Sequence, residues 1–142
     1  KKHDQIFAEK VAINFPALGD MYYAEKGKGA WVEKSSSNFA GGAFRLRVSG
    51  VNKLEDSLVN CSSLQLGLAQ KISSNIRIFG SCSYQVSLLS SGKLDCVLFP
   101  HNPITAAGFD LLIREAGGLS YVQNGIFVGS NYQLHEKIKQ LI

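Results

Sequence analysis

The sequence predicts an α/β chain of layered α+β type, with antiparallel hairpins first and alternating helices and strands after residue 63. Three observations carry this. The first sixty residues hold short apolar-polar alternations broken by Gly, Ser and Asn. From Leu64 the apolar spacing lengthens to helical intervals. Residues 94–99 then form a near-continuous apolar run, the pattern of a strand covered on both faces.

The elements follow in order. Residues 6–12 alternate loosely, 21–24 are aromatic-rich, 30–33 are short and mixed, and 44–48 alternate Phe44, Leu46 and Val48 with Arg45 and Arg47. Turns are expected at 16–20, at Gly27-Lys28-Gly29 and across the Ser, Asn and Gly loop 35–42, which together imply antiparallel hairpins. The Arg45 and Arg47 face should meet solvent or a partner. Leu64, Leu68 and Ile72 recur at helical spacing, Ser73-Ser74-Asn75 ends that helix, and 76–79 form a strand. Cys82, Val86 and Leu89 share the next helix face, with Gly92 closing it in a left-handed conformation before the strand 94–99. Asn102 can cap a third helix and Pro103 can occupy its first position; Ile104, Ala107 and Leu111 form its apolar face and Gly117-Gly118 its end. Gln123-Asn124-Gly125 is a hairpin turn between strands 119–122 and 126–129. Ser130 with Gln133 reads as a capping box for a last helix bearing Leu134, Ile138 and Leu141.

Composition narrows the classes. With 142 residues, 45% hydrophobic, 18% charged and a mean hydropathy of +0.02, the chain is an ordinary globular polypeptide. A chain of about 150 residues buries about 68–70% of its unfolded surface, so no staples are needed. No apolar run approaches the roughly 18 to 20 residues of a membrane span, so a membrane partner is not expected. The net charge of +4 is scattered rather than clustered, so a nucleic-acid partner is not expected either. Cys61, Cys82 and Cys96 match neither a disulfide framework nor a CxxC pair, which favours a reducing, cytoplasmic setting. The first residue is Lys1 and the single methionine is Met21, so an upstream segment is expected.

Three segments are candidates for chemistry. Gly27-Lys28-Gly29 could direct backbone N–H groups at an anion, but no Gly-Lys-Ser or Gly-Lys-Thr and no helix follows, so a hairpin turn is the better reading. The helix opening at Gly80-Ser81-Cys82-Ser83 offers unpaired N–H groups and small side chains to a polyhydroxylated or anionic ligand; equally, Ser81 could simply cap the helix. Cys82 is a poor nucleophile candidate, since no base is identifiable and its spacing with Val86 and Leu89 points to the core. The third segment opens at Asn102, directly after His101.

The segments YYAEKGKGAW (22–31), RLRVS (45–49), IRIFGSCSYQVSLLSSGKLD (76–95), PITAAGFDLLIREAGG (103–118) and GSNYQLHEKI (129–138) resemble the inositol monophosphatase family, bacterial extragenic-suppressor-like members included. The resemblance covers nearly the whole chain but only the C-terminal half of a family member. It implies a sugar-phosphatase-like fold, with 1–63 the remaining antiparallel strands of the N-terminal layer and 64–142 the C-terminal α/β layer, joined in one structural unit. It also implies a homodimer that hydrolyses an inositol or other sugar or polyol phosphate with Mg²⁺. Gly80, Ser81, Cys82 and Ser83 fall on the family's substrate-contacting turn. Pro103-Ile104-Thr105 stands where the family has Pro-Trp-Asp, so Thr105 occupies the position of a metal-binding Asp and can offer only a weak, neutral oxygen. Asp110, about 140° around the helix, cannot replace it. The family's Glu-Glu pair and Asp-Gly-Thr motif are absent from the chain, and its substrate-contacting Glu falls at Phe99 or Pro100. The resemblance thus implies a phosphatase-family chain inactive by itself or, alternatively, a catalytically dead member acting as a binding or regulatory module.

Overall fold

A computed structural model describes residues 7–34 and 42–142. Strands β1 (Lys10–Phe15), β2 (Asp20–Glu25), β3 (Ala30–Lys34) and β4 (Ala43–Arg45) pair antiparallel in sequence order. The 16–20 turn closes where Gly19 enters the left-handed region at φ 72°, and Leu18 N–H donates to Phe15 O at 3.0 Å. Alternation sends Tyr22, Ala24, Ala30 and Val32 inward. β1 starts at Lys10 rather than at residue 6; Ile6 and most of the 35–42 loop lie outside the described residues. β4 stops at Arg45, although Leu46 N–H still donates to Ala30 O at 2.8 Å. Phe44 pairs with inward-facing Val32 yet stays 46% exposed, because it sits on the edge strand, while Arg45 stacks over Trp31 on the outer face at 5.3 Å.

The second sheet has the order β6-β5-β7-β9-β8. Its strands are β5 (Val59–Cys61), β6 (Ile76–Ile78), β7 (Cys96–Pro100), β8 (Leu119–Gln123) and β9 (Ile126–Ser130). β5 runs parallel to β6 and β7, and β9 runs antiparallel to β7 and β8, giving a mixed sheet. β5 lies within the 1–63 segment assigned to the hairpin layer but pairs in this second sheet, so the boundary between layers falls before Val59. Three residues with Asn60 at the centre give no periodicity to read.

Helix α1 (Leu66–Ile72) follows a 3₁₀ turn at Ser63–Gln65, which leaves Leu64 88% exposed instead of on the core face. α2 (Cys82–Ser90) ends as expected at Gly92, φ 79°. α3 (Pro103–Glu115) carries its N-cap on Asn102 and Pro103 in its first turn, but Ile104 in that turn is 84% exposed, above the packed part of the helix. The Asn124-Gly125 turn forms with φ 53° and 75°. α4 (Tyr132–Leu141) is capped by Asn131, whose Oδ1 accepts from Leu134 N–H at 2.9 Å; Ser130 instead ends β9 and donates to Asn131 O. Asn caps as well as Ser, so adjacent candidates are decided by where the strand stops.

β7 shows how the layers are joined. Its Val97 and Phe99 enter the core formed with α2, α3 and the antiparallel sheet, while Cys96 and Leu98 enter a second core with α1 and α4. Helices α2 and α3 therefore lie between the two sheets, and α1 and α4 cover the outer face of the mixed sheet. Gly108 lets α3 approach the first sheet, since a Cβ there would meet Val11 Cγ2 at 3.1 Å. At the start of β7, buried Asp95 accepts from Leu58 N–H at 2.7 Å and from Ser49 Oγ, while Asn131 Nδ2 donates to Ser49 Oγ at 3.0 Å. This carboxylate is spent on joining strand, linker and helix cap.

Candidate functional site

The opposite end of β7 opens onto a cavity of about 620 Å³. The segment Gly80 to Ser83 lines one side, Asn102 and Thr105 line another, and Ser62, Pro100 and His101 contribute from the ends of β5 and β7. Phe99 and Phe109 also line it; Phe99 stacks on Phe127 at 4.8 Å and meets Phe109 edge-on at 5.8 Å, which fixes this wall. Both segments singled out from sequence thus lie on one cavity, brought together by β7, which separates α2 from α3 along the chain.

Each helix start is locally determined. Ser81 Oγ accepts from Tyr84 N–H at 3.2 Å, so Ser81 does cap α2, and its hydroxyl proton remains available to a ligand. Fully buried Gln85 donates from Nε2 to Phe79 O at 2.9 Å and holds the chain just before Gly80. The Tyr84 ring packs on Phe79 and Phe15 at 5.7 and 5.6 Å. Asn102 Oδ1 accepts from Ile104 N–H at 2.9 Å, and His101 N–H donates to Gly125 O at 2.8 Å, anchoring the start of α3 to the β8-β9 turn. Among the described residues, buried His101 Nδ1 has no partner. Cys82 Sγ lies 3.9 Å from Gly80 O, and burial pushes its thiol pKa up, which agrees with the poor prospects for a nucleophile there.

No carboxylate lines this cavity among the described residues. Asp110 is turned away: both its oxygens accept from Arg114 Nε, at 2.9 and 2.8 Å, and Oδ1 also accepts from Ser120 Oγ at 2.5 Å. Thr105 is exposed in the first turn of α3. No group of three or more His, Cys, Asp or Glu side chains is placed to hold a metal ion, again among the described residues. Mg²⁺ relies on charged oxygen ligands, so this lining does not fit it.

The Gly27-Lys28-Gly29 turn is the hairpin expected from sequence, with φ 81° at Gly27 and 84° at Gly29. Its N–H groups do converge on an anion, but one supplied by the chain: Gly27 and Gly29 donate to the Glu115 carboxylate at 3.1 and 2.8 Å. Sequence reasoning missed this pairing, as it missed Ser62 and Gln85. The ends of neighbouring parallel strands would have indicated Ser62 had β5 been recognised.

No family model matches the chain. The "Fructose-1,6-bisphosphatase/inositol-1-monophosphatase" of Thermotoga maritima is 28% identical over 147 residues, covering 92% of this chain and 53% of the relative. The "Inositol-1-monophosphatase" of Mesorhizobium japonicum is 30% identical over 119 residues, covering 72% of this chain and 40% of the relative. The solved structure of Mycobacterium tuberculosis SuhB superposes with a TM-score of 0.81 at 20% identity, over 95% of this chain and 58% of that one. The chain therefore spans about half the length of these relatives. The two sheets with their helix layers form the sugar-phosphatase-like fold. In sequence and in fold the chain is similar to members of the inositol monophosphatase family, over about half of their length. No helix among the described residues is long and apolar enough to cross a membrane.

Proposed function

We propose that this chain carries the ligand-binding part of a phosphomonoesterase-type site and that its cavity takes an inositol or other sugar or polyol phosphate without hydrolysing it unaided. The observation that carries the reading is the convergence of Gly80 to Ser83 and of Asn102 and Thr105 on one cavity lined by hydroxyl, amide and backbone donors. Such donors suit a polyol, and N–H groups at a helix start suit a phosphate. The relatives named for inositol monophosphate and fructose bisphosphate turnover support the ligand class. Metal-assisted hydrolysis would need carboxylates to hold the metal that activates water, and among the described residues the lining supplies none. That same absence favours the second reading, a catalytically silent member acting as a binding or regulatory module. A homodimer in the cytoplasm completes the proposal; the three free cysteines support a reducing setting.

Titration of ¹⁵N-labelled chain with inositol 1-phosphate tests the first reading. Saturable shifts of the amides of Gly80, Ser81, Cys82 and Ser83 are expected, with no release of inorganic phosphate. Binding that leaves those amides unmoved, or no binding at all, overturns it, and phosphate release by the chain alone overturns both readings.

A further inference from the structure

We infer that the cavity of this chain takes its ligand without a divalent cation, through neutral donors alone, and that Thr105 is the residue that sets this. The inference rests on the ligand-site reading above and specifies how such a site meets a phosphate charge. The oxygens that the side chains of the lining can offer are the hydroxyls of Ser62, Ser81, Ser83 and Thr105 and the amide of Asn102, and that amide oxygen is already engaged by Ile104 N–H. Every carboxylate borne by the elements that build the cavity is committed elsewhere. Asp110 is held by Arg114 and Ser120, Glu115 by the Gly27 and Gly29 N–H groups, and Asp95 by Leu58 and Ser49 at the far end of β7.

Mg²⁺ gives up its water reluctantly and does so for charged oxygens, so replacing that water with serine and threonine hydroxyls gains it nothing. The starts of both α2 and α3 face the same space, and their positive dipole ends oppose a cation. Thr105 sits in the first turn of α3, exposed and with its N–H already given to Asn102 O at 3.2 Å. A carboxylate at this position would face the cavity, and the threonine keeps that wall uncharged.

The test uses Mn²⁺ alone as a spin probe and inositol 1-phosphate as the ester. With the wild-type chain, the electron paramagnetic resonance signal of free Mn²⁺ is expected to remain undiminished. The ester should bind with the same affinity, within about twofold, in Mg²⁺ and in chelator. Thr105→Asp, at an exposed site where an acidic residue suits the helix start, should fold normally; its ester affinity should fall about tenfold in chelator and recover partly with Mg²⁺. Thr105→Asn, which matches the wild type in charge, should show no metal response. Stoichiometric Mn²⁺ uptake by the wild type that Thr105→Ala abolishes, or ester binding that requires Mg²⁺, overturns the inference. Should no ester bind in either buffer, the polyol phosphate reading fails while the Mn²⁺ measurement still decides the metal question.

Discussion

Two places in this molecule present converging backbone N–H groups, and they differ in what meets them. At the Gly27-Lys28-Gly29 turn the N–H groups are filled by Glu115, a residue 86 positions beyond Gly29, and the result is a clasp between the first sheet and the end of α3. At the starts of α2 and α3 no carboxylate of the described chain approaches, and a cavity remains. A cluster of amide donors is therefore not a ligand site by virtue of its geometry. It becomes one where the fold leaves it without an acceptor of its own.

Removing the resident anion is the sharpest way to break this contrast. Glu115→Ala leaves two N–H groups without their charged acceptor and should cost about 2–3 kcal/mol. The cost should appear as a lower urea midpoint at unchanged slope, with inositol 1-phosphate affinity retained below the transition. A loss under about 0.5 kcal/mol would show that the turn does not depend on the clasp. Gly29→Ala attacks the same clasp from the other side. Its φ of 84° disfavours a side chain, and a Cβ would lie 2.6 Å from Arg45 Cζ, so Arg45 must leave its place over Trp31. The expected cost is about 1–2 kcal/mol, measured by thermal or urea unfolding together with a changed Trp31 fluorescence.

At the cavity the corresponding changes should be smaller in stability and larger in binding. Ser81→Ala and Asn102→Ala each remove one helix cap, at about 1 kcal/mol apiece, and are additive if the two helix starts are energetically independent. Ser81→Ala should also weaken ester binding, which Glu115→Ala should not. These comparisons belong near neutral pH because of His135. Burial lowers the His135 pKa, so the unfolded chain takes up its proton first as pH falls below about 6.5. The stability contributed by neutral His135 is present above that value and is lost as pH falls through its lowered folded-state pKa. Replacing His135 by Phe, which retains a ring against Tyr121, should flatten the acid side of the stability curve; an unchanged slope would place the titration elsewhere.

The readable parts of the fold were those decided within a few residues. Asn102-Pro103, Gly92 and Asn124-Gly125 act through their own dihedral angles and side chains, so their positions followed from the sequence. β5 escaped because its three residues are buried in an interior strand, where the neighbouring strands supply the stability and no alternation is required. Leu64 kept helical spacing with Leu68 but lies in a 3₁₀ turn, whose tighter period rotates it out to solvent. At the site, Gly80 to Ser83 and Thr105 stood out singly; their common cavity depends on strand order, and Glu115 reaching Gly27 depends on packing across the whole chain.

The distribution of the thiols has a practical consequence. Cys61 and Cys96 are fully buried in the second core, with their thiol pKa values pushed up, while Cys82 is half-buried on the cavity wall. The unmodified sequence thus provides one addressable sulfur beside the proposed ligand. A small thiol-directed fluorophore or fluorine tag applied at mildly alkaline pH would report cavity occupancy, and protection of Cys82 by a bound ester would map it without altering a residue.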